Sequence, residues 1–134
     1  MKREVFVLTA LLLFAAVPAL SRPPKEPTNV SDLMKKKLQH AQKVLEGVAV
    51  KGFDLITKNA EELILISNEA EWKVLKTPRY EIYSNDFRRN AEALIKNAKA
   101  ENLDAAALSY VDLTLTCVKC HKHVREERMT RLGR

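Results

Sequence analysis

Residues 102–125 read NLDAAALSYVDLTLTCVKCHKHVR, a helix-forming stretch that closes on Cys117-Val118-Lys119-Cys120-His121. Asn102 is a good N-cap, and Leu103, Ala106, Ala107, Tyr110, Val111 and Leu113 recur at helical spacing before the cysteine motif. On one continuous helix, Cys117, Cys120 and His121 stand at i, i+3 and i+4 and share a face. Cys-x-x-Cys-His is the spacing at which two thiols add across the vinyl groups of a haem while the next imidazole reaches the iron. The expectation is one covalently attached haem c, held by Cys117 and Cys120, with His121 as proximal iron ligand, near the C-terminal helix.

Three other chemistries compete for the same residues. A structural zinc site from Cys117, Cys120, His121 and His123 would need four ligands within seven residues to wrap a tetrahedron, without the second ligand pair such sites normally bring from elsewhere. A redox dithiol needs Cys-x-x-Cys at the start of a helix after a strand, and a simple disulfide has no use for the adjacent histidine. Here the motif falls late in a helix, which favours haem.

Upstream, the body carries almost no turn punctuation, and three further helices follow from periodicity. The first is expected from an N-cap at Ser31, with Leu33, Met34, Leu38, Ala41, Val44, Leu45 and Val48 inward and Lys35, Lys36, Lys37, Gln39 and Lys43 outward, weakening at Gly47 and Gly52. The second is expected over 54–70, with Leu55, Ile56, Ala60, Leu63, Ile64 and Ser67 buried. Residues 71–83, with Trp72 and Pro78, read as a connection folded back on the body. Ser84 or Asn85 would then cap a third helix ending near Lys99, with Phe87, Ala91, Leu94, Ile95 and Ala98 inward. The fourth runs from Asn102 through the motif toward Arg128. An all-α, antiparallel up-down-up-down four-helix bundle is the economical architecture for four such helices.

The N-terminus points to export. Met1-Lys2-Arg3 is a basic start, Val5 to Leu20 is almost wholly apolar, and small residues precede two candidate cleavage points, after Ala19 or Ser21. The expected organisation is a secretory signal peptide over 1–21, a proline-rich tether over 22–30 and a haem domain over 31–134, giving a periplasmic protein. An uncleaved anchor is the alternative, because the apolar run approaches spanning length, and only then is a membrane expected as partner. Removing Lys2, Arg3 and Glu4 with the signal leaves 21 basic against 16 acidic side chains, about +5. The excess gathers late, in Lys119, Lys122, Arg125, Arg128, Arg131 and Arg134, where it could steer an acidic redox partner or complement the helix dipole. Nucleic acid is not expected, since no recognition motif accompanies the basic residues and no aromatics interleave them.

Three features together give the chain a family likeness. The haem motif lies near the C-terminus on the last helix, Arg125 follows His121 by four residues, and Arg79-Tyr80-Glu81-Ile82-Tyr83-Ser84 is similar to an Arg-Pro-Glu-Ile-Trp-Ser stretch. On these residues the chain resembles the cytochrome c′ family of four-helix-bundle c-type cytochromes, over essentially the whole mature length. It departs from the family in Tyr80 for proline, Tyr83 for tryptophan and Val124 where an aromatic is common. The resemblance implies two subtypes: a low-spin electron carrier in which a first-helix methionine binds iron, and a five-coordinate form that admits nitric oxide or carbon monoxide. Met34 is the candidate sixth ligand, and a thioether is an established axial partner to histidine.

His40 lies about 120° from Met34 on an ideal helix and is the weaker rival, expected instead to be partly exposed. His123 is expected to point away from the haem face and to lie at the surface. Met129, near the chain end, is a poor candidate. Arg125, one turn beyond His121, is expected beside the haem. Enzymatic catalysis is not expected: Glu61, Glu62, Glu69 and Glu71 are spaced as solvated helix-face residues, and no nucleophile and base stand together. The expected function is single-electron transfer between unidentified donor and acceptor proteins, with gas binding as the alternative and a homodimer among the expected assemblies. A third reading, a haem-bearing subunit of a membrane redox complex, goes with a retained anchor.

Overall fold

The computed structural model describes residues 29–71 and 74–133. The expected signal segment, most of the tether and Trp72 lie outside the described residues. The rest is all-helical: α1 over Val30–Ala49, α2 over Phe53–Glu71, α3 over Pro78–Lys99 and α4 over Leu103–Leu132, with no strand among the described residues. Four helices packed in this way are consistent with a four-helix bundle. No helix among the described residues is long and apolar enough to cross a membrane.

Side-chain oxygens set three of the four starts. Asn102 caps α4 as expected, its side chain accepting from the Ala105 amide. α1 is capped by Asn29 rather than Ser31, with Asn29 Oδ1 accepting from the Asp32 amide at 3.0 Å, so the helix begins slightly earlier than the periodicity suggests. The larger correction concerns α3, which begins at Pro78 and not at Ser84 or Asn85, so much of the expected connection is helix. Thr77 Oγ1 accepts from the Tyr80 amide at 3.2 Å, and Pro78 occupies the first turn, where its missing N–H would have had no helical partner.

The main core joins Val44, Ile56, Ala60, Leu63, Phe87, Ala91, Leu94, Ala98, Ala106 and Leu113 from all four helices. Its alanines let neighbouring backbones approach closely. A smaller cluster, Leu33, Ile66 and Ala70, has Met34 and Val74 packed at its edge. Two corrections fall on α1: Leu38 and Leu45, expected inside, are 61% and 51% exposed, because α1 packs closely on α2 but only sparingly on α4. α2 with α3, and α3 with α4, pack along much of their lengths. Two asparagines tie that last pair, Asn90 Nδ2 donating to Thr116 Oγ1 at 2.8 Å and Asn97 Nδ2 to Ser109 Oγ at 2.9 Å.

The short turns after α1 and α3 share one construction. Gly52 N donates to Gly47 O and Asn102 N to Asn97 O, while Lys51 N donates to Val48 O and Glu101 N to Ala98 O. This pair of bonds is a Schellman closure, whose penultimate residue must be left-handed. Lys51 and Glu101 take that role at φ 58° and 53° without being glycine. Gly47 is needed for a different reason: a Cβ there would lie 2.8 Å from Ile56 Cγ1 and 3.1 Å from both Gly52 O and Ile56 N.

Opposite stability changes are therefore expected from two neighbouring substitutions, read by urea unfolding. Lys51→Gly should stabilise by about 1 kcal/mol by relieving the left-handed penalty. Gly47→Ala should destabilise by about 1–3 kcal/mol, the overpacking cost exceeding the helix-propensity gain of roughly 1 kcal/mol.

Candidate functional site

One end of α4 faces a pocket of about 250 Å³ that also opens to solvent. Cys117, Cys120, His121 and Arg125 line it from α4, Met34 and Lys37 from α1, and Tyr80, Tyr83, Ser84 and Phe87 from α3. The structure thus brings together all five residues singled out from sequence, Cys117, Cys120, His121, Met34 and Arg125, on one cavity. The aromatic segment that carries the family likeness contributes Tyr80, Tyr83 and Ser84 to the same wall, and Val124 joins from α4.

The helical register is the direct cause. Cys117, Cys120 and His121 fall on the side of α4 turned toward the opening between α1 and α4, while Thr116 one residue earlier lines the pocket edge and accepts from Asn90 on α3. Both cysteines are free thiols and half-buried, while His121 stands at the more exposed rim. Burial pushes both thiols above their ordinary pKa; Lys37 pulls each back, and the Cys117 charge adds to the rise at Cys120. Burial holds the His121 imidazole below its usual pKa, with the Lys37 and Arg125 cations acting in the same direction. A neutral imidazole keeps a lone pair free to bind a metal.

Lys37, whose residue type predicts the solvent side of α1, instead points inward into the pocket, and its Nζ lies 3.7 Å from the centroid of the Phe87 ring. Desolvation lowers its pKa, the two thiols counter that, and Arg88 adds to the lowering. On an ideal helix Lys37 lies about 40° from Leu33, inside the buried arc, so its angular position was readable and its residue type was misleading. A cation over an aromatic face retains a favourable electrostatic partner after losing water.

The other two histidines lie elsewhere. His40 is partly buried and donates from Nδ1 to Asn59 Oδ1 at 2.9 Å, facing α2. His123, expected at the surface, is instead buried: its Nε2 lies 3.0 Å from Thr77 Oγ1 and its ring meets Tyr83 edge-on at 5.9 Å. Its position does turn away from the pocket, as expected, but that direction leads under the start of α3 rather than into solvent. Among the described residues no three His, Cys, Asp or Glu side chains converge on a point that could hold a metal ion, so the zinc alternative lacks its donor set. Neither a family model nor a curated protein nor a solved structure matches the chain.

Lys37→Met tests this electrostatic arrangement in the haem-free chain. Alkylation of Cys117 and Cys120 by iodoacetamide at mildly alkaline pH should slow severalfold, because the cation that favours the thiolates is gone. The His121 imidazole, followed by NMR, should titrate at higher pH than in the parent, since one of the charges opposing its protonation has been removed.

Proposed function

We infer that the pocket carries a single haem c, attached through Cys117 and Cys120, with His121 as iron ligand, in an exported electron-transfer protein of cytochrome c′ type. The observation that carries this reading is the convergence on one cavity of the Cys-x-x-Cys-His residues, Met34 and the 79–84 segment, which lie far apart in the chain. The donor set fits the group: two free thiols three residues apart, an adjacent imidazole held toward its neutral form, and apolar and aromatic walls. When bound, haem supplies a one-electron iron couple.

The chain's own residues have distinct tasks in this reading. Cys117 and Cys120 would hold the group against α4, and His121 would supply a nitrogen ligand to its iron. Met34, at the edge of the small apolar cluster, offers its sulfur from α1. Arg125 borders the same cavity, and its cation lowers the His121 pKa, so it is close enough to influence the charge of the site. Tyr80, Phe87 and Val124 limit water. The up-down-up-down arrangement belongs to this reading as well. It is supported by the opposite chain order of the Asn90–Thr116 and Asn97–Ser109 bonds, with the later α3 residue meeting the earlier α4 residue.

Export to a periplasm rests on the basic and apolar character of residues 1–21. Electron donors and acceptors would be met at the open rim of the pocket, with the late basic residues of α4 steering acidic surfaces. No acid–base or nucleophilic function beyond this is proposed for the carboxylates; Glu61, for example, is exposed and pairs with Lys99.

Intact mass of protein made by a strain competent in haem attachment should equal the processed chain plus one haem, and acidified acetone should not extract it. A haem-free product would overturn the reading. Cys117→Ala should retain at most one thioether.

Optical spectra distinguish the carrier from the gas binder. With Met34 sulfur on the iron, the ferric protein should be low-spin with a weak far-red charge-transfer band, and Met34→Ala should turn it high-spin and open it to carbon monoxide. A parent protein that is already high-spin and binds carbon monoxide would assign Met34 a packing role and favour gas binding. A Met34 sulfur bound to iron would have to leave before another ligand enters, whereas an apolar neighbour would only narrow the way in.

A further inference from the structure

The walls of the pocket carry one sign of charge. Lys37, Arg125 and Arg128 line it, and none of its lining residues is Asp or Glu. Helix geometry places Arg128 directly in line with the cysteine motif. At 100° per residue it stands within about 20° of both Cys117 and His121, two turns beyond the histidine and about 10 Å further along α4. Glu126 and Glu127, which share those last turns, fall about 140° and 120° from His121 on opposite flanks. Neither lines the pocket, and Glu126 Oε1 lies 4.0 Å from Lys122 Nζ instead. The charges of this part of α4 are thus sorted by face, with two guanidinium groups on the pocket side.

The two ends of the pocket differ in chemistry. Lys37 is held at the thiol end, over Phe87 and close enough to Cys117 and Cys120 to act on both. Arg125 and Arg128 stand exposed at the other end, one turn apart, and neither is in an ion pair among the described residues. The planar fork of a guanidinium matches a carboxylate bidentately. A haem bears its two vinyl groups on one side of the ring and its two carboxylates on the other. Thioethers at Cys117 and Cys120 would therefore turn the carboxylates away from Lys37, toward the end where the arginines stand.

We propose that Arg128, with Arg125 beside it, is the carboxylate anchor of the pocket, recognising the two haem propionates and setting which way round the group lies. The inference rests on the haem reading of the pocket and adds to it the residue that selects the carboxylate end.

Zinc protoporphyrin IX, a fluorescent probe with the same two carboxylates, tests this on the full haem-free chain beside its diamide, in which both are capped as neutral amides. The parent should bind the dicarboxylate about tenfold or more tighter than the diamide, as expected for a charged hydrogen-bond partner. Arg128→Gln should lose most of that preference while leaving the affinity for the diamide unchanged. Arg128→Lys should keep part of it, because the charge survives without the fork. Lys58→Gln, an equal loss of charge at an exposed position of α2, should leave the preference intact. Far-UV circular dichroism checks that each variant keeps its helices. In protein carrying attached haem, carbodiimide-driven amidation of the propionates, read from the mass of the haem-bearing peptide, should run severalfold faster in Arg128→Gln than in the parent. This second measurement decides if the haem-free chain does not hold the probe. Equal affinity for the two porphyrins overturns the proposal, as does an equal loss of both in Arg128→Gln, which would make the arginine a cover for apolar wall. So does an unchanged amidation rate. Those outcomes leave the haem reading standing, whereas a product without haem overturns both.

Discussion

The sparse contact between α1 and α4 is the constraint on which the rest of this structure depends. The other neighbouring helices pack along much of their lengths, with facing alanines and the Asn90 and Asn97 side chains closing the gaps. Between α1 and α4 that closure is incomplete, and the pocket opens there. Filling this seam with well-packed apolar side chains would bury more surface, at about 25 cal/mol per Å². The chain instead places Met34, Lys37, two thiols, an imidazole and a guanidinium around the opening, so stability is forgone where chemistry is gathered.

Lys37 sharpens this point. An ammonium group taken from water is disfavoured, which appears here as its lowered pKa. The Phe87 ring and the neighbouring thiols offset part of that cost. In turn the lysine acts on both thiols and the imidazole of the motif, easing deprotonation of Cys117 and Cys120 and opposing protonation of His121. One residue on α1 thereby acts on three residues of α4, second to burial at each of them. A surface lysine, screened by water and salt, would not do so.

The fold was legible wherever apolar residues repeat at the helical period over many turns. The α3 stripe illustrates this, with Phe87, Ala91, Leu94 and Ala98 all buried. Boundaries were less legible, because a side-chain cap competes locally. Thr77 with Pro78 starts α3 well before Ser84, and nothing in the apolar pattern encodes that choice. The motif residues and Met34 line one pocket because register determines which way they point. Lys37 and His123 depart from what their residue type predicts, since both turn inward. Each is a polar side chain with a specific partner, Phe87 in one case and Thr77 with Tyr83 in the other. Leu38 and Leu45 are the converse: apolar residues in the right arc of a helix whose neighbour does not come close enough to cover them.

The same register argument explains how a single helix serves several ends. Along α4, the arc toward α3 holds Ser109, Thr116 and His123, the next arc holds the pocket residues Cys117, His121 and Val124, and the outer arc holds Leu108, Val111, Leu115 and Val118. Because successive residues are turned by about 100°, Thr116, Cys117 and Val118 enter three different environments in sequence. A one-residue shift of the motif toward the C-terminus would put its cysteines and histidine at positions 118, 121 and 122, of which only 121 lines the pocket. The placement of Cys-x-x-Cys-His relative to the core stripe is therefore as much a part of the site as the residues themselves.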